Sequence, residues 1–162
     1  MLFPDPADAS VWLPPKWRHP VRSELSTGHH LRPVRAGDVD RHLRAVLESQ
    51  ERLWSLYGSA WRWPSPTLTV DQDRDQLARR EVAAEQHRSF TYALFDLGET
   101  ELLGCVDIDP GPGAVAAVSW WVVDWLLDSP VERALDEAVP AWIAADWPLK
   151  PGRGPVRRPS GW

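Results

Sequence analysis

Apolar positions recur along this chain at helical spacing, then as strand-like runs, and then at helical spacing again. Val39, Leu43, Val46, Leu47 and Leu53 fall on one stripe, with Arg41, Arg44, Glu48 and Glu51 on the opposite side. That spacing predicts an amphipathic helix from Asp38, as N-cap, to about Tyr57–Gly58. Residues 58–68 (GSAWRWPSPTL) read as a loop displaying Trp61 and Trp63. Thr69 or Asp71 caps a second helix to about Gln86, whose few apolar residues (Val70, Leu77, Val82, Ala83) place it at the surface.

Strand patterns flank these helices. His29–Val34 is a short strand, with Pro33 marking an edge or a bulge. Ser89–Phe95, a turn over 96–100, and Glu101–Ile108 form an antiparallel hairpin. Asp109-Pro110-Gly111-Pro112-Gly113 is a second turn. Ala114–Val123 is apolar on both faces, as a central strand should be. Ser129 as N-cap, Pro130 at the first helical position and a reciprocating Glu132 open a third helix. Its stripe is Val131, Ala134, Leu135, Ala138, Val139, Trp142 and Ile143, and Pro140 predicts a kink or a split. Residues 1–28 are a proline-punctuated leader whose Phe3, Trp12, Leu13 and Trp17 suit an irregular strap docked on the body. The organisation expected is therefore leader 1–28, domain 29–147 and a basic, proline- and glycine-rich tail 148–162. The fold class is α/β (α+β), a mainly antiparallel mixed sheet with flanking helices.

Composition narrows the picture. The chain of 162 residues suits one domain, and no apolar run approaches the ~20 residues that span a bilayer, so no membrane role is expected. Net charge is −5, which disfavours nucleic acid as a partner, although Lys150, Arg153, Arg157 and Arg158 make the end of the chain basic. Cys105 is the single cysteine, so an internal disulfide and a thiolate-rich metal site are excluded and a reducing cytoplasm fits. The five histidines show no ligand spacing, and no metal is expected. Sixteen of the eighteen basic residues are Arg, and with abundant Ala, Pro and Trp this suggests a GC-rich bacterial source.

Three segments in order, HHLRPVRAGDVDRHLRAVLES, SFTYALFD with LLGCVDID, and AVSWWVVDWLLDSPVERALDEAVPAWI, resemble the GNAT-superfamily acetyltransferases over residues 29–147. The group that acetylates ribosomal-protein N-termini is the nearest in pattern. The resemblance implies a GNAT fold shortened at its C-terminus, acetyl-CoA as donor, and a small amine or protein N-terminus as acceptor. It places backbone groups of Trp121, Val122 and Val123 against the pantetheine and the thioester, where they would steady a developing oxyanion. The family follows this strand with a Gln/Arg-x-x-Gly-x-Gly/Ala loop whose bare amides wrap the pyrophosphate at a helix start. Here the loop is Asp124-Trp125-Leu126-Leu127-Asp128-Ser129-Pro130-Val131-Glu132. It has no glycine, Pro130 lacks an N–H, and its carboxylates repel an anion. A helix start already claimed by its own side chains is expected to be a poor diphosphate seat.

The remaining candidates carry two readings each. Asp107, on the expected sheet face with Leu103, Cys105 and Asp109, is the candidate general base, or else a solvated strand-end carboxylate. Trp61 and Trp63 either border the substrate pocket or pack as a lid. Trp120 and Trp121 point to opposite faces, either one as a pocket wall or both as core, and Trp125, Trp142 and Trp147 are expected in the same packing cluster. Two alternative functions remain beside acyl transfer. One is a non-catalytic GNAT-like module that forms a homodimer or binds a partner through an unpaired sheet edge. The other is a pocket in which Trp61 and Trp63 hold an organic cation.

Overall fold

The computed structural model describes residues 12–110 and 115–151. One sheet runs through the domain in the order β1 (Ser23–Glu24), β2 (His30–Pro33), β3 (Phe90–Phe95), β4 (Leu102–Pro110), β5 (Val115–Val122), β6 (Lys150–Pro151). The first five strands pair antiparallel, and β6 lies parallel to β5. Helices α1 (Val39–Glu48), α2 (Gln50–Trp61) and α3 (Val70–Glu85) lie between β2 and β3 in sequence, and α4 (Pro130–Asp146) follows β5. No helix among the described residues is long and apolar enough to cross a membrane.

The alternation of the strands explains the layering. Phe90, Tyr92 and Trp120 point to the face covered by α4, where Tyr92 meets Trp142 edge-on at 4.8 Å and Phe90 meets Trp147 at 5.0 Å. The leader completes this layer. Trp12 and Leu13 are buried, the Trp12 indole donates to the His87 carbonyl at 2.8 Å, and the Tyr92 hydroxyl donates to the Pro20 carbonyl at 2.6 Å. On the other face, Trp121 lies 6.2 Å from Trp63, and Arg80 of α3 comes within 3.9 Å of Asp107.

The predicted helix from Asp38 to Gly58 is two helices, broken at Ser49, which has φ −122° and ψ 19°. Ser49 turns its hydroxyl to accept the Asp124 N–H at 2.8 Å, a long-range bond that the periodicity does not carry. The second of the two helices then continues to Trp61, so Trp61 ends a helix and does not sit on a loop. Asp38 is not the expected side-chain cap. Its buried carboxylate instead takes two bonds from Arg32 at 2.8 and 2.9 Å, one from Arg41 at 2.8 Å and the Arg35 N–H at 2.8 Å. Thr69 does cap α3, with Gln72 reciprocating. Of that helix's expected apolar contacts Leu77 is buried, whereas Val70 and Val82 are exposed.

Three further corrections concern strands and turns. The leader contributes β1, which pairs with His30 and Leu31 but leaves Pro33 at the free side of β2. Asp109 and Pro110 belong to β4 and not to the expected turn, whose remaining positions 111–113 lie outside the described residues. Lys150 and Pro151, read as irregular tail, form β6. Pro140 does not split α4, which runs unbroken to Asp146.

Candidate active site at the open edge of β5

Val123 donates its N–H to the Leu103 carbonyl at 2.9 Å. Antiparallel alternation from that point gives Trp121 and Ser119 to β4 and turns the N–H and C=O of Val118, Trp120 and Val122 to the opposite edge. Strand β6 covers that edge only at Val115 and Ala116. From Ala117 to Val122, no strand among the described residues pairs with it. The result is a row of strand-spaced donors and acceptors beside Trp121, Val122 and Val123, the positions assigned from sequence to the thioester. All three residues are buried, backbone included, and of the outward-facing positions Val118 and Trp120 keep a little accessible surface whereas Val122 keeps none. One outward group has a partner, since Arg52 of α2 donates to the Val122 carbonyl and also pairs with Asp124 at 2.5 Å.

Glycine shapes this segment. A Cβ on Gly104 of β4 would overlap the Trp121 carbonyl oxygen and stand 3.1 Å from the Val122 Cα. Only the absence of a side chain lets the two backbones approach this closely.

The loop after β5 closes on itself. Ser129 accepts the Glu132 N–H at 3.2 Å, and the Glu132 carboxylate accepts the Asp128 N–H at 3.2 Å. The expected cap is therefore present but shifted, because Ser129 gives its own N–H to the Leu126 carbonyl. Glu132 is buried in this position. Trp125, expected in the packing cluster with Trp142 and Trp147, is 60% exposed. A one-turn 3-10 helix over Asp124–Leu126 rotates Leu126 inward and Trp125 outward. Trp125 and Val123 then line a cleft of about 260 Å³ with α1 and the start of β4, including Arg41, Arg44 and Glu101. Neither Trp61 nor Trp63 lines this cleft.

Asp107 lies on the α2–α3 face of the sheet, 20% exposed, and accepts the Thr91 hydroxyl at 2.7 Å. Cross-strand pairing puts it opposite Ser119. The Tyr57 hydroxyl faces both residues. Burial first, and then the Asp107 charge, push its ionisation far above the ordinary range, and proximity to Ser119 offsets this in part. No hydrogen bond of regular geometry links the two hydroxyls, and Ser119 Oγ is buried without a partner. Trp63 covers Tyr57 at 5.8 Å between ring centroids, and its indole N–H is also buried and unpartnered. Trp61, 42% exposed, is the last residue of α2. Cys105 is buried, and burial raises its thiol pKa well above the ordinary value, the opposite of an activated nucleophile. Sequence reasoning missed Tyr57, Ser119 and Arg52. The placement of Tyr57 four residues after the stripe residue Leu53 was the available signal for the first.

The arrangement of strands and helices is a GNAT-like fold. No sequence-family profile and no curated protein sequence matches the chain. Solved structures do match by shape. Ribosomal-protein-S5-alanine acetyltransferase from Vibrio fischeri superposes with a TM-score of 0.60 at 12% identity, over 78% of this chain and 69% of that one. Mycobacterium smegmatis RimJ in complex with CoA-disulfide gives 0.64 at 18%, over 78% and 61%. The Microcin C7 self-immunity acetyltransferase MccE in complex with acetyl-CoA and AMP gives 0.57 at 10%, over 74% and 65%. At these identities the likeness establishes the fold.

Proposed function

We propose that this chain is an N-acetyltransferase, moving an acetyl group from acetyl-CoA to the amine of a small molecule or of a protein N-terminus. The observation that carries the reading is the unpaired backbone edge of β5 within a GNAT fold. Neighbours of the same fold are complexes with CoA-disulfide or with acetyl-CoA and AMP, and others modify ribosomal-protein N-termini, which supports the donor and the acceptor class. The residues fit one part of the donor. Outward N–H and C=O groups at Val118 and Trp120 suit the amides of a pantetheine arm, as an added strand would use them. The residues around the loop do not fit its diphosphate.

Acetyl-CoA supplies an activated acyl carbon; the chain supplies placement and a proton acceptor. The backbone from Trp121 to Val123 orients the thioester, and closure of Trp63 over Tyr57 keeps water from that side of the sheet. Asp107, held by Thr91 and partly solvated, accepts the amine proton directly or through a water. Tyr57 stays protonated through the neutral range, so it donates a hydrogen bond and does not act as base. A cytoplasmic location belongs to the same proposal. The test is release of free thiol from acetyl-CoA on addition of amines or of N-terminal peptides. Acetyl-dependent thiol release that stops with Asp107→Asn supports the reading, and no binding of acetyl-CoA at millimolar concentration removes it. The same unpaired edge favours a second reading, a module that pairs β5 with a second copy. Light scattering on a dilute sample separates the two, because a monomer that turns over thioester excludes it.

A further inference from the structure

Of the eight main-chain N–H groups from Asp124 to Glu132, all but those of Trp125 and Val131 are bonded within the protein. Asp124 gives its N–H to Ser49 Oγ at 2.8 Å, Leu126 to the Val123 carbonyl at 3.0 Å and Leu127 to the Asp124 carbonyl at 3.1 Å. Asp128 donates to the Glu132 carboxylate at 3.2 Å, Ser129 to the Leu126 carbonyl at 3.1 Å and Glu132 to Ser129 Oγ at 3.2 Å. Pro130 has no N–H to give. A diphosphate bound at a helix start needs several such donors free and a positive local field. Here it would have to displace the buried Glu132 and would meet Asp124 and Asp128 as well. The outward groups of Val118 and Trp120, by contrast, have no strand opposite them among the described residues.

We infer that the acyl donor is recognised through its pantetheine arm and that its diphosphate adds little to binding. The substrate class is then any acyl-pantetheine thioester, whether the far end of the arm carries a nucleotide, a protein or nothing. This inference rests on the acetyl-transfer reading and sharpens it. The closed loop sets the preference, and the edge of β5 sets the affinity.

Two donors decide the matter: acetyl-CoA and S-acetylpantetheine, which lacks the nucleotide and both of its linking phosphates. Each is titrated into the full chain by calorimetry and by tryptophan fluorescence. The expected dissociation constants lie within about fivefold of each other, a difference under about 1 kcal/mol. Acetyl-CoA binding more than about fivefold tighter than S-acetylpantetheine overturns the inference and leaves the acetyl-transfer reading standing. Failure of both to bind at millimolar concentration overturns the two together. A second variant tests the cause. Asp128 has φ 60°, a conformation that glycine adopts freely, so Asp128→Gly combined with Glu132→Ala removes both carboxylates and frees the N–H of residue 128. That variant, folded by circular dichroism, should gain about tenfold or more in affinity for acetyl-CoA and nothing for S-acetylpantetheine. An unchanged ratio would show that these side chains do not close the seat.

Discussion

Replacing Gly104 by Ala probes the geometry on which the edge of β5 depends. The added Cβ would overlap the Trp121 carbonyl oxygen and lie 3.1 Å from both the Trp121 carbonyl carbon and the Val122 Cα. All three atoms are backbone of a paired strand, so no side chain can swing aside. Antiparallel strands sit about 4.8 Å apart, and the overlap is relieved only by moving one of them. Overpacking a core costs about 1–3 kcal/mol where side chains can yield. A clash against backbone belongs at or above the top of that range, about 3 kcal/mol. For a chain of this length each kcal/mol lowers the melting temperature by about 2–4 °C, so a fall of about 6–12 °C is expected. The displacement falls on Trp121 and Val122, so donor binding should weaken in any protein that remains folded. Thermal melts followed by near-ultraviolet circular dichroism, with acetyl-CoA titrations at a temperature well below the transition, provide the assay. A melting temperature within about 2 °C of the parent, with unchanged donor affinity, would refute the argument that the two backbones are held together by the missing side chain.

Other perturbations have definite expected outcomes. Ser129→Ala removes the cap of α4 and should cost about 1 kcal/mol in chemical denaturation. The Glu99 carboxyl is lowered from 4.5 to about 2, first by its hydrogen bonds from Arg32 and His30. Its stabilisation is thus complete above pH 4.5 and is lost as pH falls from there towards about 2. Because Glu99 is partly solvated, the loss should be about 1–2 kcal/mol, and Glu99→Gln should flatten that limb of a stability-versus-pH curve. Trp125→Ser, at a 60% exposed position, should change stability by under about 0.5 kcal/mol while removing a fluorophore from the cleft. Asp107→Asn should lower kcat by about 10²-fold or more, with the melting temperature reporting any structural cost.

Residues whose environment is local were legible in the sequence. Strands β3 to β5 and the start of α4 follow from alternation, turn residues and the Ser129-Pro130 pair, all set by near neighbours. What escaped depends on distant partners. Ser49 breaks a helix because its hydroxyl serves Asp124, and Asp38 abandons the cap role because Arg32 and Arg41 reach its carboxylate. Two-residue strands such as β1 and β6 carry no period to detect. Trp125 looked like core because tryptophans surround it in the sequence, and a single 3-10 turn sends it outward. At the site, the closed loop could be argued from residue types, whereas the backbone positions on β5 came only from the family resemblance. The Tyr57–Ser119–Asp107 cluster could not, because it joins a helix to two strands across the fold.

Amide mapping of a ¹⁵N-labelled chain during titration with acetyl-CoA addresses both halves of the account at once. The largest shifts should fall on Val118 and Trp120, with Asp128 and Glu132 unmoved because their N–H groups stay bonded to Glu132 and Ser129. Large shifts at Asp128 and Glu132 with a silent β5 would contradict it.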